Sequence, residues 1–167
     1  MRSLSGTITN SITKNNIMND VILFYGQPSS GKTTLADLLS DTITSEQSVR
    51  IDGDLWREVT QNKDYSKEGR MRNLKGAYDM AIYLSRAGFL PILSFVSPYE
   101  ELRQYLRENS RLIEIYLECT EDRGRNNYFA KDFELPNTKC LRLNTSELTE
   151  IECLHKIIDY IKINKNG

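Results

Sequence analysis

Residues 26–33, with the sequence GQPSSGKT, join an apolar run to a segment whose leucines have helical spacing. The run VILFY before them is typical of a buried parallel strand, and Leu35, Leu38 and Leu39 after them fall on one face of a helix. A glycine, four residues and then Gly-Lys-Thr let the backbone curl so that successive N–H groups point inward at phosphate oxygens. The order of strand, glycine loop and helix therefore predicts a phosphate-binding loop.

The residues of this loop have separate predicted roles. Lys32 is expected to reach the β- and γ-phosphates and to act in catalysis, and the Thr33 hydroxyl is expected to ligate magnesium. The predicted nucleotide-binding residues of the loop are Gly26, Ser29, Ser30, Gly31, Lys32, Thr33 and Thr34. Switch proteins and motors also carry such a loop, so the motif alone predicts a nucleoside triphosphate with magnesium and does not specify a reaction.

Segments with strand and helix patterns alternate along the chain. Strand patterns recur in SVRIDGD, GFLPILSFV, LIEIYLEC and CLRLNT, and helical patterns occur at LWREVTQ, from Lys67 to Arg86, from Ser97 to about Asn109, and from Leu148 to Ile161. Pro91 weakens the prediction for the first residues of the third strand, because proline has no N–H to donate. The alternation predicts an α/β fold of the P-loop NTPase type: a doubly wound, mostly parallel five-stranded sheet with helices on both faces and a short lid.

Length, charge and cysteine content exclude several classes of protein. A chain of 167 residues favours one domain, and 22 Lys and Arg against 23 Asp and Glu give no basic surplus for nucleic acid or an anionic membrane. The apolar runs are shorter than the roughly 18 residues of a membrane helix, and Cys119, Cys140 and Cys153 lack paired spacing, which indicates free thiols. We expect a cytoplasmic protein with a poorly ordered tail at residues 1–18 and a single domain at 19–167.

Asp52 and Asp54 occur in IDGD at the end of the second predicted strand. In extended backbone, residues two apart point to the same face, and this strand end is expected beside the glycine loop. One carboxylate would then orient or deprotonate an acceptor hydroxyl while the other holds magnesium through water. Asp52 is the first choice for the hydroxyl and, with Thr33, for the metal; Asp54 is the second catalytic candidate. An Asp-Gly turn with solvated carboxylates is the alternative.

Four motifs, including the glycine loop, occur in a fixed order between residues 21 and about 103: GQPSSGKTT, DGDLWR, YSKEGRMRN and AGFLPILSFVSPYEELR. In this order they resemble the adenylylsulfate kinase family, the P-loop kinases that phosphorylate the 3′-hydroxyl of adenylyl sulfate. The resemblance implies ATP and Mg²⁺ as cofactors and transfer of the γ-phosphoryl group to a ribose hydroxyl of a small nucleotide, with no covalent enzyme intermediate. It also implies a homodimer, because family members commonly form dimers.

The resemblance implies a set of acceptor contacts. These residues are Asp54, Arg57, Tyr65, Arg70, Asn73, Val96, Ser97 and Pro98. Tyr65 would stack on the base in the place of a family phenylalanine, and the guanidinium groups would give bidentate hydrogen bonds to phosphate-like groups. For Arg57, Arg70 and Arg103 the alternative is a solvated helix face.

The resemblance weakens after the fourth predicted strand. Family enzymes carry Arg-Asp, Lys-Gly-Leu-Tyr and Phe-Thr-Gly-Ile-Asp segments there, whereas this chain has the shorter ECTEDRGRNNYFAKDFELPNTKC. We expect residues 120–137 to form a small basic lid that excludes water from the transferring phosphoryl group. Its predicted contacts are Arg123 and Arg125 to the ATP donor, and Lys131 and Phe133 to the acceptor, with Tyr128 between them.

The altered lid leaves the acceptor open. The family includes capsule-biosynthesis relatives that phosphorylate cytidine diphosphoramidate, so the chain would act either in sulfate assimilation or in capsule modification. A nucleotide-dependent switch or binding module is an alternative of another class, although the chain has no guanine-reading Asn-Lys-x-Asp tetrad. The single histidine, His155, and Trp56 are predicted to have structural roles.

Overall fold

A five-stranded sheet lies at the centre of the computed structural model, which describes residues 20–43 and 47–165. Its strands are β1 (Asp20–Tyr25), β2 (Ser48–Asp52), β3 (Leu90–Phe95), β4 (Arg111–Glu118) and β5 (Leu141–Asn144). The spatial order is β2-β3-β1-β4-β5, and each neighbouring pair is parallel. The predicted sheet is confirmed. The chain runs from β1 to β2 on one side of β1 and later crosses from β3 to β4 on its other side. A crevice therefore opens at the carboxyl end of β1, where ligands bind in open α/β sheets.

Helices cover both faces of the sheet. They are α1 (Lys32–Ile43), α2 (Gly53–Thr60), α3 (Lys67–Arg86), α4 (Glu100–Asn109) and α5 (Glu150–Lys165), and a short 3₁₀ helix spans Asn126–Tyr128. One buried cluster joins α1 and α5 to the sheet, and a second cluster joins α3 and α4 to the opposite face. No helix in the described ranges is both long enough and apolar enough to cross a membrane.

Strand β1 is apolar on both faces because both faces are covered. Ile22 and Phe24 belong to the cluster with α1 and α5, whereas Leu23 and Tyr25 belong to the cluster with α3 and α4. This burial explains the continuous apolar run that precedes the glycine loop. The strand therefore fixes the position of the loop from both sides of the sheet.

Pro91 lies inside β3, between β2 and β1. The Leu90 N–H donates to the Gln47 carbonyl on the β2 side at 2.7 Å. The next backbone position faces β1, but the pairing with β1 begins only at Ile92, opposite Ile22. The missing N–H of Pro91 therefore costs no ladder hydrogen bond, and the strand begins at Leu90 rather than at Gly88.

Other structural expectations have clear outcomes. The three cysteines are free, as expected, and His155 is exposed on α5. Trp56 is partly buried against the cluster of α3 and α4, which supports its predicted packing role. The predicted tail at residues 1–18 lies outside the described residues, and the domain boundary at residue 19 stays a prediction.

The packing of α5 predicts a contrast between two isoleucines. Ile157 is fully buried and Ile163 is 67% exposed on the same helix. We expect Ile157→Ala to lower the free energy of unfolding by about 2–5 kcal/mol, because it removes buried methyl groups and leaves a cavity. Ile163→Ala should change it by less than about 0.5 kcal/mol. Urea unfolding followed by circular dichroism measures both, and equal losses would contradict this packing.

Candidate active site

The glycine loop follows β1 and has unusual backbone angles. Gly26 and Gly31 have φ values of 147° and 93°, and Ser29 has a φ of 63°. A Cβ placed on Gly26 would lie 2.1 Å from the Leu117 carbonyl oxygen, so only glycine fits there. The chain then enters α1 at Lys32. The curled backbone and the start of α1 form the anion-binding arrangement that the motif predicts.

Lys32 rests against its own loop. Its Nζ donates to the Gln27 carbonyl oxygen at 2.7 Å and lies 3.4 Å from Ser30 Oγ. Burial lowers the pKa of Lys32 to about 8, although Asp54 and Asp52 oppose this shift. The side chain is therefore largely charged at pH 7 and is held where an anion would bind.

The carboxylate of Asp52 is saturated with hydrogen bonds. Its Oδ2 accepts from Thr33 Oγ1 at 2.9 Å and from Ser94 Oγ at 2.7 Å. Its Oδ1 caps α2 by accepting from the N–H groups of Asp54 at 3.0 Å and Leu55 at 3.4 Å. Burial by itself would raise the pKa of Asp52, but the hydrogen bonds outweigh it and lower the pKa. Asp52 is thus a fixed anion beside the loop threonine.

Arg50 supports Asp52 from behind, which the sequence pattern did not predict. Its guanidinium donates to Ser94 Oγ at 3.0 Å and to the Ile92 carbonyl at 2.6 Å, and it lies 3.9 Å from Asp52 Oδ2. A fourth contact joins it to Asp37 of α1 at 2.8 Å. Ser94, a polar residue within the apolar run LPILSF, was the available signal for this network.

Asp54 lies near Asp52, but the predicted reason is wrong. It belongs to the first turn of α2 and not to an extended strand end. Both aspartates nevertheless line the cleft, because Asp52 turns the chain into the helix that carries Asp54. Within residues 20–43 and 47–165, no hydrogen bond or ion pair involves the Asp54 carboxylate. It is therefore free to accept from a ligand.

A cleft of about 920 Å³ lies at the carboxyl edge of the sheet. It brings together predicted residues from the loop, the two aspartates, the acceptor motifs and the lid: Ser29, Gly31, Lys32, Thr33, Thr34, Asp52, Asp54, Arg57, Tyr65, Arg70, Asn73, Val96, Ser97, Pro98, Arg123, Arg125 and Tyr128. Gly26 and Ser30 shape the loop behind this lining. The lining extends from the glycine loop to residues of α3.

Arg57 and Tyr65 form one wall of the acceptor end. Arg57 Nη1 donates to the carbonyls of Asn62 at 3.1 Å and Asp64 at 3.2 Å, and its Cζ lies 4.2 Å from the centre of the Tyr65 ring. The solvated alternative for Arg57 is therefore excluded. Tyr65 is 64% exposed, so its ring remains accessible to a ligand.

Asn73 and Arg70 lie on the α3 side of the same end. Asn73 is only 6% exposed, and its Oδ1 has no hydrogen-bond partner within the described residues. Trp56 Nε1 donates to the Asn73 carbonyl at 3.1 Å and holds this part of α3 in place. Arg70 Nη1 lies 3.7 Å from Asp132 of the lid. A buried acceptor atom without a partner suits a donor group on a ligand.

Part of the lid lines the cleft, but two residues predicted to contact the acceptor lie outside the lining. Lys131 is exposed and is not part of the cleft lining. Phe133 packs 6.0 Å from the Tyr116 ring, within the cluster of α3 and α4. Ala130 is buried and bonded to Gln27 of the glycine loop, and beyond it Lys131 stays exposed to solvent while Phe133 packs against the core.

One arginine of the lid, Arg123, and one of α4, Arg103, have structural contacts. Arg123 donates to the carbonyls of Ser29 and Thr145, each at 3.0 Å, so it braces the glycine loop while also lining the cleft. Arg103 is fully buried and donates to the carbonyls of Ser97 and Glu134, each at 2.7 Å. Arg103 is therefore neither solvated nor a ligand contact, and it fastens the end of the lid to the loop before α4.

These features define the class of the protein. A phosphate-binding loop at the carboxyl edge of a parallel sheet, with an aspartate bonded to the loop threonine, is the site of a P-loop nucleotide-binding protein. The family model for adenylylsulphate kinase matches residues 18–129, which is more than half of the chain. The chain belongs to the adenylylsulphate kinase family.

Individual relatives agree with this assignment. The adenylyl-sulfate kinase of Staphylococcus epidermidis is 28% identical in an alignment of 173 positions that covers 89% of this chain and 87% of that protein. A probable adenylyl-sulfate kinase of Archaeoglobus fulgidus is 37% identical over 61% of this chain and 68% of the relative. The APS kinase of Mycobacterium tuberculosis, solved with AMPPNP and APS, is similar in fold, with a TM-score of 0.76, 19% identity and coverage of 87% and 98% of the two chains.

The lowered pKa of Lys32 predicts a pH-dependent affinity for nucleotide. A bound triphosphate needs the charged amine, which the free protein loses as the pH rises through about 8. We expect the affinity for AMPPNP with magnesium to fall by up to about tenfold per pH unit above pH 8. Calorimetric titrations from pH 7 to 9.5 measure this. Lys32→Met should bind weakly with no such fall, and a wild-type affinity that stays constant would contradict the shift.

Proposed function

We propose that this protein is an ATP-dependent kinase that transfers the γ-phosphoryl group to the 3′-hydroxyl of adenylyl sulfate. Its membership in the adenylylsulphate kinase family supports the reaction class and the acceptor. The observation that carries the proposal is the pair of aspartates beside the glycine loop, of which one is saturated and one is free. A binding module would not need a free carboxylate between a phosphate site and a second ligand site.

The donor end of the cleft is suited to a triphosphate. Backbone N–H groups of the loop and the charged Lys32 would bind the phosphate oxygens. Lys32 Nζ has three N–H donors, so it can reach phosphate while it keeps its contact with the Gln27 carbonyl. Such positioning and charge stabilisation are the main catalytic contributions in phosphoryl transfer. Arg125 lies in the same lining and adds positive charge.

The residues beside the loop also fit a magnesium ion. Thr33 Oγ1 and Asp52 Oδ2 lie 2.9 Å apart, and both are oxygen donors of the kind that Mg²⁺ prefers. The lowered pKa of Asp52 keeps its carboxylate ionised at neutral pH. When bound there, the ion would neutralise charge on the transferring phosphate group.

We infer a division of labour between the two aspartates. The four hydrogen bonds on Asp52 fix it as the group that holds the metal with Thr33, directly or through water. The free carboxylate of Asp54 is then the better placed group to orient the acceptor hydroxyl and receive its proton. The hydrogen bonds thus favour Asp54 over Asp52, the first choice from sequence, for this role.

The acceptor end offers complementary chemistry for a charged nucleotide. The exposed Tyr65 ring, backed by Arg57, presents a face for a base, and the unpartnered Asn73 Oδ1 can accept from a donor on the acceptor. Arg70 supplies a guanidinium for a phosphate or sulfate group. The lid from Arg123 to Ala130 covers the cleft and would exclude water from the transferring group.

The hydroxyl-orienting role of Asp54 predicts a selective loss of turnover. Asp54→Asn should lower kcat by ~10²- to 10⁴-fold, because the amide cannot accept the proton. The affinity for AMPPNP with magnesium should stay within about twofold, since Asp52 and the loop remain intact. Asp41→Asn on the exposed part of α1 is the matched control and should have no effect. A large loss of nucleotide affinity in Asp54→Asn would instead place Asp54 at the metal.

The direct test of the proposed function is turnover with two acceptors. The protein is incubated with ATP, magnesium and either adenylyl sulfate or cytidine diphosphoramidate, and the products are followed by phosphorus NMR. Adenylyl sulfate should gain a 3′-phosphate as ADP appears. Turnover with the cytidine compound alone would reassign the acceptor, and AMPPNP binding without turnover of either compound would contradict the kinase proposal. The homodimer stays a prediction, to be checked by light scattering.

A further inference from the structure

Gln27 links the glycine loop to the lid through a reciprocal pair of hydrogen bonds. Its Nε2 donates to the Ala130 carbonyl at 3.0 Å, and its Oε1 accepts from the Ala130 N–H at 2.9 Å. The two residues are 103 positions apart in the chain. The side-chain amide of Gln27 thus binds both the backbone N–H and the backbone carbonyl of Ala130, as a neighbouring strand would.

Ala130 is 5% exposed, so its backbone groups have little access to water. A buried N–H and carbonyl that lose their partners carry a desolvation penalty, which makes the contact with Gln27 necessary for this lid position. In the described ranges, the hydrogen bonds between the lid and the glycine loop are those of Gln27 and the contact from Arg123 to Ser29. The family match ends at residue 129, just before this contact.

The backbone of Gln27 carries a second contact that belongs to the phosphate site. Its carbonyl accepts from Lys32 Nζ at 2.7 Å and from the Ser30 N–H at 3.3 Å. Lys32 Nζ has three N–H donors, so it can hold this carbonyl and a phosphate oxygen at the same time. One residue therefore touches the group that would bind the nucleotide and the segment that covers the cleft.

The lid is also held at its acceptor end. Asp132 lies near Arg70, and the Glu134 N–H donates to the Pro98 carbonyl at 2.8 Å. The five residues from Ala130 to Glu134 therefore extend from the donor loop to the acceptor wall. A shift at Ala130 would be passed along this short segment to the residues that face the acceptor.

We propose that Gln27 is a positioning residue that couples occupancy of the phosphate loop to the position of the lid. This inference rests on the proposed function, because the coupled ligand is the ATP donor. The side-chain amide of Gln27 acts through Ala130. It holds Ala130 against the glycine loop, so that the lid takes its closed position over the bound triphosphate. The lid position in turn sets how well water is excluded during transfer.

Amide hydrogen exchange by NMR tests the coupling without any acceptor. In the free protein, Gln27→Leu should speed exchange at Ala130 by ~5- to 100-fold, since both of its backbone groups lose their partner. Exchange in β1 should stay unchanged, which shows that the variant is folded. Gln104→Leu removes an exposed glutamine contact on α4 and should leave Ala130 unaffected.

Adding AMPPNP with magnesium then shows whether Gln27 only stabilises the lid or also transmits nucleotide binding to Ala130. In the wild type it should slow exchange at Ala130 several-fold, and in Gln27→Leu it should still bind but cause no slowing. Unchanged exchange in the free variant, or equal slowing in both proteins, would overturn the proposal. If AMPPNP fails to bind either protein, the ATP-dependent function and the coupling are both wrong, whereas failure to phosphorylate an acceptor would affect the proposed function alone.

Discussion

The hydrogen bonds on the Asp52 carboxylate hold the site together. They join the loop threonine on α1, the serine in β3 and the first turn of α2, so three separate parts of the chain meet at one charged group. Arg50 reinforces this group from β2 and reaches α1 through Asp37. Without a fixed anion here, no single group would hold the loop threonine and the first turn of α2, which carries Asp54, in position relative to each other. The remaining features of the cleft are arranged around it.

The sheet order explains why these parts can meet. Strand β1 lies between β3 and β4, so its loop faces β2 and β3 on one side and the region after β5 on the other. Thr145 Oγ1 donates to the Ser30 carbonyl at 3.0 Å, and Arg123 bridges Ser29 to Thr145. The glycine loop is thus braced by segments from both halves of the sheet. A braced loop reduces the reorganisation that binding would otherwise require.

The sequence predicted the repeating parts of the structure better than the individual contacts. Apolar runs and a full loop motif determine buried strands and a phosphate site locally, so the sheet, α1 and the positions of Lys32 and Thr33 could be predicted. Asp54 was expected in the cleft because residues two apart in a strand point to the same face. It lies there instead because Asp52 caps α2, whose first turn carries Asp54. Lys131 and Phe133 were misplaced because the path of the lid depends on the burial of Ala130, which no local pattern signals. The contacts of Gln27 and Arg50 are with residues distant in sequence, so no periodic pattern in the sequence could predict them.

The account centres on a cleft where a triphosphate and a nucleotide acceptor meet between Lys32 and Asp54. A crystal structure of the protein with AMPPNP, magnesium and adenylyl sulfate tests this most directly. We expect Lys32 Nζ to contact phosphate oxygens and the acceptor 3′-hydroxyl to lie within hydrogen-bond distance of the Asp54 carboxylate. A complex in which Lys32 makes no contact with phosphate, or in which the acceptor hydroxyl faces away from Asp54, would contradict this arrangement.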